Sequence, residues 1–291
     1  MNEIGSTDAR IDLFRPDGDV YAGLRMTRHG LMMFPVKDMY IGRSLEEYGE
    51  YCAGKMDLLV SMLKPGDVAV DVGAHIGSMT LAMARAVYPN GVCVAYEPQR
   101  VLHQMLCGNA QMNGLDNAFL LHAAVGETPG EIIVPMLDYR MEANYGGLEL
   151  GGFTQGEAVP LARLDGLDLG ACRLIKVSAE GNELQVLKGA ERVLRRFRPV
   201  LYLDGHHADR TEALLTYVMG LGYRCFWDLQ PMFRADNFYG KTENVFGAVV
   251  TVGILCLSPS EATPEGAREI VDPGETWSGG RPVEEVVPQP R

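Results

Sequence analysis

The chain has 291 residues, 47% of them hydrophobic and 22% charged, which suits one sizeable globular domain or two small ones. Its 26 basic and 38 acidic residues leave a net charge of −12. That balance argues against a general nucleic-acid binder, which needs a basic face to displace counterions from phosphates. No stretch reaches the ~20 apolar residues of a membrane span; the nearest, 245–257, is shorter and carries Gly and Thr. The first residues, MNEIGSTDARID, lack the basic start and apolar core of a secretory signal. Six scattered cysteines form no C-x-x-C pair and mostly sit in apolar runs, so they read as buried thiols in a reducing compartment, and the expected location is cytoplasmic.

Three unequal parts follow one another: a mixed leader over 1–64, an alternation of apolar strands and helical stretches over 65–258, and a tail over 259–291. The tail holds six of the 16 prolines and few large apolar residues, so it is expected to be disordered or laid along the surface, with Trp277 as its one anchor. In the middle part, 68–72 (VAVDV) reads as a strand buried on both faces, followed by a glycine-containing turn and a helix over 79–87. Residues 92–96 form the next strand, 101–112 the next helix, and 118–121 a third strand. Short β segments are expected at 131–135 and 158–160, a fourth strand at 174–177 and one helix over 182–195. A fifth strand at 199–203, a helix over 211–220 and a late strand pair at 223–229 and 246–257 complete the pattern. Strands alternating with helices at this spacing imply βαβ units and a parallel sheet covered on both faces. In such sheets ligands bind beyond the carboxyl ends of the strands.

The first strand ends in Asp71-Val72-Gly73-Ala74-His75-Ile76-Gly77-Ser78. Gly73 lets a ligand approach the main chain, Gly77 lets the next helix pack closely, and that helix offers free N–H groups. The spacing is G-x-x-x-G, without the middle glycine that brings a dinucleotide's pyrophosphate against the backbone. Asp71 suits a cationic ligand and would repel a pyrophosphate. The loop therefore fits S-adenosylmethionine, a phosphate-free adenosine with a sulfonium, better than NAD. Glu97, followed by Pro98, ends the second strand 20 residues beyond Gly77 and is placed to accept both hydrogen bonds of a ribose diol.

The segments 71–78 and Glu97-Pro98, the run 174–190 (LIKVSAEGNELQVLKGA) and 199–204 together resemble FkbM-type S-adenosylmethionine-dependent methyltransferases. The upstream Asp38-Met-Tyr-Ile-Gly and Glu47-Tyr-Gly-Glu-Tyr51 resemble that family's leader, so the likeness spans roughly 29–250. It implies an α/β, Rossmann-like class I methyltransferase fold: a mostly parallel seven-stranded sheet with helices on both faces and an antiparallel late strand. It also implies methyl transfer, usually to a hydroxyl oxygen, on a small molecule or sugar. The cofactor contacts it implies are Asp71, Gly73, Ala74, His75, Gly77, Ser78, Glu97, Pro98, Ala123, Ala124 and Ser178, with Tyr40 and Glu47 of the leader folding over.

On the acceptor side the family pattern I-D-V-E-G places an aspartate where this chain has Ser178, which leaves a catalytically weakened cofactor-binding protein open as an alternative, beside an NAD-dependent oxidoreductase. Glu180 either faces the reacting methyl or caps the following helix. Lys176 either works in catalysis or pairs with an acid. Asp204-Gly205-His206-His207 lacks the i, i+4 histidines of a helical zinc motif, and no metal is expected. By the resemblance, Asp204 and His206 lie near the acceptor. A neutral His206 imidazole is the expected base, oriented by Glu180 or Asp204. The Tyr-, Gly- and acid-rich segment 138–153 is a candidate lid, and an exposed edge strand and the leader allow a homodimer.

Overall fold

The structure, a computed structural model, describes residues 10–277 and 281–282. The leader folds into an antiparallel meander, β1 (Ile11–Phe14), β2 (Val20–Thr27) and β3 (Gly30–Pro35), then α1 (Ile41–Tyr48) and α2 (Ala53–Ser61). The alternation Met32, Phe34 that points one face of β3 inward is present in the sequence but is too short to stand out as a strand on its own.

Beyond it the chain alternates: β4 (Val68–Val72), α3 (Ser78–Val87), β5 (Val92–Tyr96), α4 (Arg100–Met112), β6 (Ala118–Leu121). A small separate sheet follows from β7 (Ala124–Val125), β8 (Gly130–Val134) and β9 (Glu157–Ala162). The main chain then resumes with β10 (Leu174–Val177), α5 (Glu183–Lys188), α6 (Glu191–Phe197), β11 (Val200–Asp204), α7 (Ala208–Gly220), β12 (Arg224–Pro231) and β13 (Val249–Leu257). Two short strands complete it, β14 (Arg268–Ile270) and β15 (Arg281–Pro282).

The central sheet runs β14-β12-β13-β11-β10-β4-β5-β6, with β15 beside β13. The strands from β6 to β11 are parallel, and β13 is antiparallel to both β11 and β12. Nine strands replace the expected seven, because the tail adds two. Cys225 to Trp227 of β12 would otherwise present an open edge, and β14 pairs with it while burying Ile270. Trp277 packs against the apolar core on one face of the sheet; residues 278–280 and 283–291 of the tail lie outside the described residues.

The expected helix over 182–195 is two helices. Asp165 explains the break: its N–H donates to the Gly189 carbonyl, and its carboxylate accepts the N–H groups of Arg192 and Val193, capping α6 from outside. Local periodicity carries no trace of a cap supplied by a residue more than 20 positions away.

Side chains alternate across the sheet. Val70, Ile175 and Leu201 face α5, α6 and α7, whereas Ala69, Leu174 and Val200 face α2 and α3. Asp71 and Lys176 belong to this second face and lie directly opposite in the β4–β10 register. Asp71 is fully buried; its carboxylate lies 3.0 Å from Lys176 Nζ and accepts a 2.6 Å hydrogen bond from Thr80 of α3. The chain leaves β4 toward β5 and returns on the other side at β10, so this pair sits at the point where the strand order reverses.

Removing one partner of a buried pair leaves an uncompensated charge. Lys176→Met is expected to cost about 3–5 kcal/mol in urea unfolding, and Lys176→Met combined with Asp71→Asn distinctly less. Equal losses in the single and the double variant would show that the pair is not the source of the effect.

Candidate active site

A cavity of about 290 Å³ opens beyond the carboxyl ends of β4, β5, β10 and β11, where the sheet rule places it. Its floor begins at Gly73. The residue's φ of +73° is open to glycine, and a Cβ there would stand 1.8 Å from the Ser178 carbonyl oxygen. Lys176 Nζ donates to the Gly73 carbonyl at 2.7 Å, so the cation that pairs with Asp71 also fixes the loop. Gly77 makes room for Leu106 of α4.

Glu97 stands at the end of β5, 3% exposed. One carboxylate oxygen accepts the N–H of His75 at 2.7 Å and the other the N–H of Gln99 at 2.8 Å. These bonds set the carboxylate's direction and leave lone pairs facing the cavity. Burial pushes its pKa up to about 7, against the pull of the two N–H groups. His75 is pulled down to about 3 by burial and the charge of Lys176, so its ring is neutral. His75 Nε2 lies 3.3 Å from the Asp38 carboxylate, which also accepts the N–H groups of Tyr40 and Ile41. Burial lifts Asp38 to about 6.

A cover lies over this half. Residues 138–153 are clamped rather than free. Tyr139 and Tyr145 stack with centroids 4.4 Å apart, and Gln99 joins both by donating to the Tyr145 carbonyl and accepting from the Tyr139 hydroxyl. Ala143 exchanges backbone hydrogen bonds with Lys37 and Met39 of the leader. Asn144, Gly146, Leu148 and Leu150 line the cavity from this segment, and Tyr40 and Tyr51 from the leader.

The other half of the cavity is ionisable. Ser178 follows β10 directly and lines the cavity beside Asp204, which ends β11. Lys55 of α2 lies 3.3 Å from Asp204 and over the ring of Tyr202. Burial raises Asp204, but the charges of Lys55 and His206 outweigh it and hold the carboxyl below its usual range. Glu180 has a φ of +46°, a left-handed conformation that a non-glycine residue rarely adopts, and its carboxylate lies 3.2 Å from His206 Nε2 and 3.6 Å from His207 Nε2. Burial raises Glu180, yet the two histidines leave it below its usual range. Burial pulls His206 down, but Glu180 and Asp204 lift it to about 9.

Of the residues expected around the cofactor, Gly73, Ala74, His75 and Ser78 line the cavity from the loop, Glu97 and Pro98 from β5, and Ala123, Ala124 and Ser178 from the strand ends beyond. Asp71 and Gly77 do not. Asp71 points beneath the loop, where Lys176 and Thr80 occupy its carboxylate, and no face of it remains for a cationic ligand. Glu47 does not line the cavity either, although Tyr40 does. His206, Glu180 and Asp204 come together as expected of the acceptor end. No side chain caps α5: Glu183, its first residue, accepts the N–H groups of Ala179 and Gly181 in the preceding turn, and Glu180 makes no capping bond. A neutral His206 conflicts with its surroundings: below about pH 9 the ring is an imidazolium with no lone pair for a proton. Lys55 has no signature in the sequence, because a lone lysine in a helix gives no local signal, and His207, whose spacing excludes a helical zinc motif, reaches Glu180 through the turn before α7.

Residues 71–225 match the family described as Methyltransferase FkbM domain. No curated protein matches the chain. Among solved structures, one similar to it is the methyltransferase FkbM from Methylobacillus flagellatus, at 19% identity and a TM-score of 0.45, over 65% of this chain and 43% of that one. A precorrin-6y C5,15-methyltransferase from Geobacter metallireducens is similar at 15% identity, over 70% of this chain and 87% of that one, with a TM-score of 0.43. Aeropyrum pernix fibrillarin with natively bound S-adenosylmethionine is similar at 12% identity, over 86% of this chain and 99% of that one, with a TM-score of 0.42. The family match covers more than half of the chain, from Asp71 at the end of β4 into β12, and the protein belongs to the FkbM methyltransferases.

Proposed function

We propose that the protein methylates a hydroxyl oxygen of a small molecule or sugar. The observation that carries this reading is a single cavity with two unlike ends: a buried, backbone-oriented Glu97 beside apolar wall at one, and the Ser178, Glu180, Asp204 and His206 group at the other. The residues present fit the cofactor. Glu97 would accept the ribose hydroxyls, Ala124, Val125, Ile132 and Leu161 offer an apolar wall to a flat base, and the close approach permitted by Gly73 leaves main chain accessible. The negative net charge and the acidic acceptor end favour a small hydroxyl compound over a polyphosphate chain.

S-adenosylmethionine, when bound, supplies an electrophilic methyl on a positive sulfur. The protein's own task is to align and to exclude water. The clamped cover of 138–153 and the leader close one side of the cavity. At the acceptor end a hydroxyl can donate to the carboxylates of Asp204 and Glu180, while the charged His206 holds Glu180 in place. Proton loss therefore goes to a carboxylate rather than to a free imidazole. Serine at 178 does not remove the negative charge from this end, because Asp204 supplies a carboxylate one strand over.

The reading is tested by calorimetric titration with S-adenosylmethionine, followed by methyl-transfer assays on a panel of polyketide, phenolic and sugar alcohols. Tight binding with stoichiometric S-adenosylhomocysteine production on a hydroxyl acceptor is expected. Binding of NAD with none of S-adenosylmethionine would overturn it.

Glu97→Gln is expected to weaken S-adenosylmethionine binding by about 10–100-fold, the worth of a charge-assisted hydrogen bond. The ribose hydroxyls donate to the charged carboxylate, whose pKa of about 7 lies above the usual 4.5. Affinity in the wild-type protein should therefore rise as pH climbs through about 7, by about tenfold between pH 6 and pH 8, and Glu97→Gln should flatten that profile. In the ligand-free protein the same raised pKa acts the other way: its stabilising contribution is full below about 4.5 and is lost as pH rises through about 7. Asp204→Asn should lower kcat by about 10²–10⁴-fold with little change in the dissociation constant for S-adenosylmethionine, measured side by side.

A further inference from the structure

We propose that Glu180, His206 and His207 form a binding site for a divalent transition-metal ion of the Zn²⁺ class, opening onto the acceptor end of the cavity. One ligand atom from each, a carboxylate oxygen and two imidazole nitrogens, lies within 4.8 Å of the other two. The distances from the Glu180 oxygen to the two Nε2 atoms are 3.2 and 3.6 Å. An ion with ligand bonds of about 2.0–2.2 Å spaces neighbouring ligand atoms by about 3.0–3.5 Å, the edge of an octahedron or tetrahedron. The two spacings from the Glu180 oxygen are therefore close to the edges of a coordination shell, and the third, within 4.8 Å, closes by rotation of the imidazoles. The two imidazoles come from consecutive residues, with ring centroids 4.0 Å apart and planes tilted by 40°, so that both Nε2 atoms reach the same carboxylate.

The backbone serves the same convergence. Glu180 adopts a left-handed conformation in which its carboxylate meets the two histidines, while Glu183 accepts the N–H groups of Ala179 and Gly181 on either side of it and holds the turn. Two nitrogens and one oxygen suit borderline ions such as Zn²⁺ and Fe²⁺ and are a poor set for Mg²⁺ or Ca²⁺, which take oxygen. Three protein ligands leave at least one position open, the pattern of a reactive rather than a purely structural site. Glu180 and His206 both line the cavity, so the open position faces it.

What the ion would do there rests on the methyl-transfer reading; whether it binds does not. Ion binding releases to solvent any protons held on the imidazole nitrogens. An acceptor hydroxyl bound at the open position becomes more acidic. Its O–H bond breaks and the proton passes to the Asp204 carboxylate, which lines the same end of the cavity. The oxygen then forms its bond to the methyl carbon as the carbon–sulfur bond breaks, and S-adenosylhomocysteine leaves. No electrons are exchanged with a third party.

The test is titration of chelator-treated full-length protein with Zn²⁺, and with Co²⁺ as a spectroscopic probe, in parallel with S-adenosylmethionine. One ion per chain is expected. Glu180→Gln and His207→Ala should each weaken it by at least about tenfold, the loss that even an outer partner of a metal ligand causes. His103→Ala, remote from the three residues and close to Cys107, should leave it unchanged. Circular dichroism verifies that each variant is folded, and His207→Asn replaces His207→Ala if that variant is not. Absence of ion binding, or equal binding by wild type and all variants, overturns the site. Zn²⁺ binding without S-adenosylmethionine binding would refute the methyl-donor reading and leave the ion site standing; the reverse would refute the ion site alone.

Discussion

The Asp71–Lys176 pair is the constraint on which the remainder of the site depends. Two charges at full burial are retained only where geometry and further hydrogen bonds compensate their desolvation. Here the compensation is also architectural. The two residues are register partners on neighbouring strands on opposite sides of the reversal point, so the pair joins the two halves of the sheet. Thr80 ties α3 to the same carboxylate, and the ammonium reaches up to the Gly73 carbonyl. One cation thus sets the separation of β4 and β10, the seat of α3 and the height of the loop that forms the cavity floor.

Above that floor the charges divide. At the Glu97 end, burial keeps the histidine neutral and lifts both carboxyls, Glu97 to about 7 and Asp38 to about 6. At the other end two carboxylates are held ionised by Lys55, His206 and His207. Each of these carboxylates thus has a cationic partner, and the ion pairs gather where they do because Asp204, Ser178 and Glu180 all stand at or just beyond the carboxyl ends of β10 and β11.

How far the sequence reveals this varies with the range of the interaction. The strands from Val68 to Asp204 are legible because each is a short apolar run bounded by Gly, Pro or charge. Glu97 is legible because its distance from the glycine loop is fixed by one helix and one strand. Asp71 was placed correctly on its strand, yet its partner could not be read: only the register between two strands separated by about a hundred residues sets Lys176 opposite it. The same limit hides the break at Gly189, which is imposed by Asp165, and the leader meander, whose short strands gain their face only against α4. His207 was adjacent to a residue singled out for chemistry, but what turns it toward Glu180 is the turn before α7, which has no signature in spacing.

Ser178 shows why a motif departure need not mean lost chemistry. The register places Val177 beside Leu203, so the residues that follow, Ser178 and Asp204, occupy neighbouring strand ends on the cavity wall. A carboxylate at 178 would stand next to that of Asp204, and two like charges at such separation oppose joint ionisation. With serine at 178, Asp204 has no second carboxylate beside it and pairs with Lys55, so one ionised carboxylate is stabilised instead of two competing. The negative charge has moved by one strand and now has a lysine from the leader as its partner. The leader is thereby bound to the acceptor wall as well as to the cofactor side, through Tyr40 and Asp38. A segment outside the family match then contributes to both ends of one cavity, and the chemistry at its acceptor end is set by α2 as much as by the strand ends themselves.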